Sequence, residues 1–188
     1  AIRWRLNDNS QIGNFGSSTG IRPGSSGTLQ FYVIPNATGT LSLRFRLELK
    51  PLNDDGSANT TETLNKLLKG HLLFYILNAT GTKIWVSWDG DTSRPLQFNV
   101  PAETDVGVPQ PVTLHWIWNA NLDGFTADEI SSHRNLLFYS ESGKTDEIDK
   151  AIDENQITEL TKLYNRADRY IGSQLTWLEV KLTAQPAS

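Results

Sequence analysis

The chain has no cysteine and no methionine. Without cysteine there are no disulfides, no thiolate metal sites and no cysteine nucleophile. A translated chain starts with methionine, so Ala1 is read as the first residue after processing, with a removed signal peptide as the simplest cause. That reading predicts a secreted protein, extracellular or at the cell surface. Long apolar runs are also missing. The stretch Leu72 to Leu77 is among the longest and falls far short of a spanning helix. Positive charge is not concentrated anywhere: 17 basic residues are scattered among 21 acidic ones for a net charge of -4. This excludes the basic stripe that a nucleic-acid binder needs.

Histidine is scarce, with only His71, His115 and His133, and none stands in a His-x-x-x-His pattern, so no local zinc signature exists. The one Gly-x-Ser-x-Gly match, Gly16-Ser17-Ser18-Thr19-Gly20, lies in a stretch of Gly, Ser and Asn with little core material, and Gly24-Ser25-Ser26-Gly27 reads as linker. Carboxylates are plentiful, but nothing marks two of them as a glycosidase pair. The chain is therefore read as a non-enzyme without cofactor. A hydrolase built on a carboxylate pair is the third-ranked reading.

What is present is alternation. Leu41, Leu43, Phe45, Leu47 and Leu49 share one face of a strand over Leu41 to Lys50. Further strands are expected at Leu29–Ile34, Leu72–Leu77, Lys83–Trp88, Leu96–Val100, Val112–Trp118 and Leu175–Ala184, separated by Pro, Gly, Asn and Asp clusters. The 188 residues suit one domain. The expected fold is mainly β, a jelly-roll-like antiparallel β-sandwich with short helical insertions. Thr61 to Leu68 has helical spacing, with Thr61 as a cap and Gly70 as the stop. The patch Lys144 to Arg169 places Ile148, Ile152, Ile157, Leu160 and Leu163 near one face, with Gly172 beyond its end. Thr126 to Tyr139 begins like a helix and ends like a strand.

Ile2, Trp4 and Leu6 alternate with Arg3 and Arg5 as a short strand, and residues 7 to 27 follow as a Gly, Ser and Asn tether. Residues 1–27 thus separate from a sandwich over 28–188. The strand either pairs within its own sheet or is donated to a neighbouring copy.

Asn36, Asn59 and Asn78 head Asn-x-Thr sequons and are candidate glycosylation acceptors. Two acidic loops supply candidate calcium ligands, Asp54 and Asp55 in one and Asp89 and Asp91 in the other. Neither has the full calcium-loop spacing, and plain hairpin turns are the preferred reading. Six tryptophans suit an aromatic core, with a sugar-stacking platform through Trp85 or Trp118 as the alternative.

Val112-Thr113-Leu114-His115-Trp116-Ile117-Trp118, then Ala167-Asp168-Arg169-Tyr170-Ile171-Gly172 and the final strand with Thr183-Ala184-Gln185, resemble the TasA/camelysin family of exported filament proteins. Ile21-Arg22-Pro23-Gly24 and the turn Pro35-Asn36-Ala37-Thr38-Gly39 are similar too. The chain departs from the pattern in Arg169, where a threonine is common, and in lacking a long tail. It has no His-Glu-x-x-His, so protease activity is not carried over. The resemblance implies a jelly-roll subunit of a biofilm-matrix fibre or pilus, a head-to-tail homopolymer in which Ile2, Arg3, Trp4, Arg5 and Leu6 enter the next copy. Further partners would be neighbouring filaments or matrix polysaccharide. The competing reading is a secreted glycan-binding β-sandwich module.

Overall fold

The computed structural model describes residues 22–86, 95–140 and 145–187, together with the backbone of residues 3–6. Eight strands are present among them: β1 (Arg3–Leu6), β2 (Ser26–Val33), β3 (Gly39–Leu52), β4 (Leu72–Leu77), β5 (Lys83–Val86), β6 (Leu96–Val100), β7 (Gln110–Trp118) and β8 (Trp177–Pro186). Five helices interrupt them: α1 (Glu62–His71), α2 (Ala127–Ser132), α3 (Arg134–Leu137), α4 (Thr145–Asp153) and α5 (Ile157–Gln174).

The strands form two four-stranded sheets, ordered β1-β8-β3-β6 and β2-β7-β4-β5. Every strand pair is antiparallel except β1 with β8, which is parallel. The expected mainly β fold with helical insertions is present. Period-2 alternation turns one face of each sheet inward. Leu43, Phe45, Leu47, Leu178 and Val180 from the first sheet join Leu29, Phe74, Ile76, Leu114 and Trp116 from the second in one shared core. Burying a large side chain of this kind is worth about 1.5 to 3 kcal/mol, so this shared interior is the main source of stability.

A second, smaller core lies among the helices, built from Leu122, Ile130, Leu137, Phe138, Ile148, Leu160, Leu163 and Tyr164. Here the structure corrects the sequence reading. Thr126 to Tyr139 contains no strand. Thr126 caps α2, its hydroxyl accepting from the Glu129 N–H while Glu129 accepts from the Thr126 N–H. Leu137 and Phe138 are apolar because they pack among helices.

The patch from 144 to 169 is two helices, broken at Asn155, whose φ of 49 is left-handed. The second helix runs through Gly172 to Gln174, so Gly172 does not terminate it, and Ile157 is exposed instead of sharing the apolar face. The Thr61 side chain makes no cap bond. Gly70 lies inside α1, where a Cβ would sit 2.2 Å from the Leu136 carbonyl oxygen. It is required for close packing against α3. Ser26 and Gly27, expected in the tether, begin β2.

Candidate functional site

Three places concentrate polar chemistry or leave apolar surface uncovered. The first is buried. His71 ends α1 and runs without a loop into β4, which puts its ring between the sandwich and the helices. Its Nδ1 lies 2.6 Å from Asp168 Oδ1 on α5, and its Nε2 donates to the Leu137 carbonyl at 2.8 Å. The Trp118 indole N–H donates to the same Asp168 oxygen at 2.8 Å. A carbonyl only accepts, so Nε2 carries a proton, and one further proton is shared between Nδ1 and Oδ1. The pair is neutral overall whichever atom holds it, which removes most of the cost of burying two ionisable groups.

Tyr164 stacks on the His71 ring at 4.1 Å and donates its hydroxyl to the Asn119 carbonyl. Burial, and secondarily the Asp168 carboxylate, hold this phenol far above the ordinary tyrosine value. His71 is 1% exposed and Asp168 6%, with both ring nitrogens engaged, so the pair presents no atom to a substrate. It is a joint between the helices and the sandwich. Trp118 of β7 and Asp168 of α5 meet here. Sequence reasoning missed this joint. The available signal was Asp168 sitting at helical spacing among Tyr164, Ala167 and Ile171 on the apolar face of α5.

The second place is the edge of the first sheet. β8 pairs with β3 along Trp177–Pro186 but with β1 only from Trp177 to Val180. Among the described residues, nothing pairs with the outer edge of β8 beyond Val180. Its inward residues there, Leu182 and Ala184, are only half-buried, as are Phe31 and Val33 on β2, the edge strand of the other sheet.

The third is the outer face of the second sheet. Tyr75 on β4, Trp85 on β5 and His115 on β7 line up across neighbouring strands. Tyr75 stacks on His115 at 4.8 Å and meets Trp85 at 5.1 Å, with the Lys83 ammonium over the Tyr75 ring. Trp85 is 45% exposed, whereas Trp118 at 2% and Trp116 at 5% are core residues. Trp118 is therefore removed as a sugar platform.

Of the other predicted positions, Arg3, Trp4, Arg5 and Leu6 form β1, and Ile2 lies outside the described residues. Asn36 is exposed on a bend. The Asn59 side-chain carbonyl accepts from the Thr61 N–H, and that of Asn78 accepts from the N–H groups of Thr80 and Thr82. Asp54 and Asp55 sit in an exposed turn where Ser57 donates to Asp55 through both its N–H and its hydroxyl, holding that carboxyl below its usual range. Asp89 and Asp91 lie outside the described residues. No group of three metal-ligating side chains occurs among the described residues. Among them, no helix is long and apolar enough to cross a membrane.

Comparison of the chain with protein-family models, with curated proteins and with solved structures finds no match.

Proposed function

We propose that the chain is the structural subunit of an extracellular filament, polymerising by inserting its N-terminal strand into the sandwich of the next copy. The observation that carries this reading is the place of β1: Arg3–Leu6 lies as an outer strand, in parallel, against β8 from Trp177 to Val180, and among the described residues nothing pairs with that edge of β8 beyond Val180, beside the half-buried Leu182 and Ala184. Such an edge is a template for another strand.

Strand order supports the finer reading of the fold as a jelly roll. The pairs β1·β8, β2·β7, β3·β6 and β4·β5 are those of one long hairpin rolled into two sheets. In such a roll every one of these pairs is antiparallel, because the two arms of a hairpin run in opposite directions. Three of them are, and β1·β8 is not. The first strand thus occupies its slot in the reversed direction, as a segment can when the slot does not depend on its own chain connection.

A donated strand in this slot would pair the free edge of β8 and bury apolar side chains such as Ile2, Trp4 and Leu6. The three together are worth about 5 to 9 kcal/mol before the cost of ordering the strand. Head-to-tail contacts of this kind grow into fibres when the rotation between copies does not close a ring. The resemblance to exported matrix-filament subunits points the same way.

A synthetic peptide of residues 1–8 tests the donor step directly. Added to the chain lacking residues 1–10, it is expected to bind saturably and to raise the melting temperature, while a peptide with Trp4→Glu does neither. Failure of the native peptide to bind would remove the donor-strand reading.

A further inference from the structure

The two sheets differ on their outer faces. The first presents Ser42, Arg44, Arg46, Glu48 and Lys50 from β3, an ordinary wetted surface. On the second, the positions that alternate with buried Leu72, Phe74 and Ile76 are Leu73, Tyr75 and Leu77, and β5 and β7 add Trp85 and Ile117. Apolar and aromatic side chains gathered on the water side of a strand mark a binding surface more often than an accident of sequence.

Beside Trp85 the surface falls into a cavity of about 880 Å³, floored by Leu73 and Ile117 and walled by Phe125 and Leu136. Its rim carries Lys69, Asn119, Asp123, Glu129 and His133. Trp85 also lines a second, smaller hollow of about 280 Å³, bounded by Thr28, Tyr75, Lys83 and His115. The larger volume is of the size that holds a small ligand. The indole thus lines both hollows and packs against the Tyr75 ring at 5.1 Å.

We propose that this face binds a neutral polysaccharide, one sugar ring stacking on Trp85 and its neighbours along the chain occupying the two hollows. The chemistry selects this class in three ways. A pyranose has an apolar face that matches an exposed indole and hydroxyls that match a rim of mixed donors and acceptors. The rim sets Lys69 and Lys83 against Asp123 and Glu129, a balance that favours an uncharged ligand over phosphate or polyanion. The groove crosses the face of a sheet, whereas an extended peptide takes its hydrogen bonds from an edge. A ligand that stacks on Trp85 and fills both of the hollows it lines must be longer than a disaccharide. This inference does not depend on the filament reading.

The test is titration of the full chain, followed by tryptophan fluorescence and calorimetry, with cellohexaose, laminarihexaose, mannohexaose and chitohexaose, and with the disaccharide of each. At least one hexasaccharide is expected to bind saturably and at least tenfold more tightly than its disaccharide. Trp85→Ala is expected to weaken that binding at least tenfold and Trp85→Tyr by much less, with circular dichroism and melting temperature unchanged in both. Any of three results overturns the proposal: no hexasaccharide binds, binding is untouched by Trp85→Ala, or Trp85→Ala changes only the self-association of the chain.

Discussion

The helical end of the sandwich and the β8 edge are built on opposite rules. At the joint between helices and sandwich, Leu160, Leu163, Tyr164 and Ile171 are buried, and the polar atoms of His71, Asp168 and Trp118 satisfy one another. Along the β8 edge, Leu182 and Ala184 on one sheet and Phe31 and Val33 on the other stay half-buried, and among the described residues the backbone beyond Val180 is paired with β3 alone. The contrast sets a buried, satisfied joint against the edge to which the proposal above assigns assembly. Substitutions at the two places should therefore have different signatures.

The largest loss of stability is expected at the joint. Asp168→Ala removes the partner of both His71 Nδ1 and the Trp118 indole N–H and leaves two buried polar groups without one. A cost of about 3 to 5 kcal/mol follows for breaking a buried pair of this kind, measured by urea unfolding. A smaller loss is expected from Gly70→Ala, whose methyl would strike the Leu136 backbone and force α1 and α3 apart, at about 1 to 3 kcal/mol.

Tyr164→Phe deletes one hydrogen bond, worth about 1 kcal/mol at neutral pH, and it also changes the alkaline limb. The phenol is held above its ordinary value of 10.0 in the folded state. Its stabilising contribution is therefore complete below that pH and is lost as pH rises beyond it, because only the unfolded chain ionises freely. The native protein should lose about 1.4 kcal/mol per pH unit there from this group. The Phe variant should show a shallower slope in unfolding measurements between pH 9 and about 11.

The smallest effect on stability belongs to the edge. Leu182→Glu should change the melting temperature little, since the residue is already half in water, yet it should abolish fibre growth. If Leu182→Glu unfolds the monomer as severely as Asp168→Ala, the division between the two regions is wrong.

The strands were legible because alternation is a local signal. Leu72–Leu77 and Leu96–Val100 occur with the expected bounds, and Leu41 through Leu49 turn the expected face inward. What local pattern could not carry was long-range partnership. His71 and Asp168 lie 97 residues apart, and neither stands in a motif. Leu136-Leu137-Phe138-Tyr139 looked like the end of a strand because apolar residues pack in helices and strands alike, and α4 and α5, which decide the matter, come later in the chain. Trp85 could not be told from Trp116 by residue type. Only the inward phase of β7 and the outward position on β5 separate a core indole from a surface one.

The account rests most directly on the N-terminal strand, and negative-stain electron microscopy of the purified chain, with and without residues 1 to 10, measures its role. Ordered fibres from the intact chain and none from the truncated one are predicted. Fibres from the truncated chain, or discrete monomers in both samples at every concentration, would contradict it.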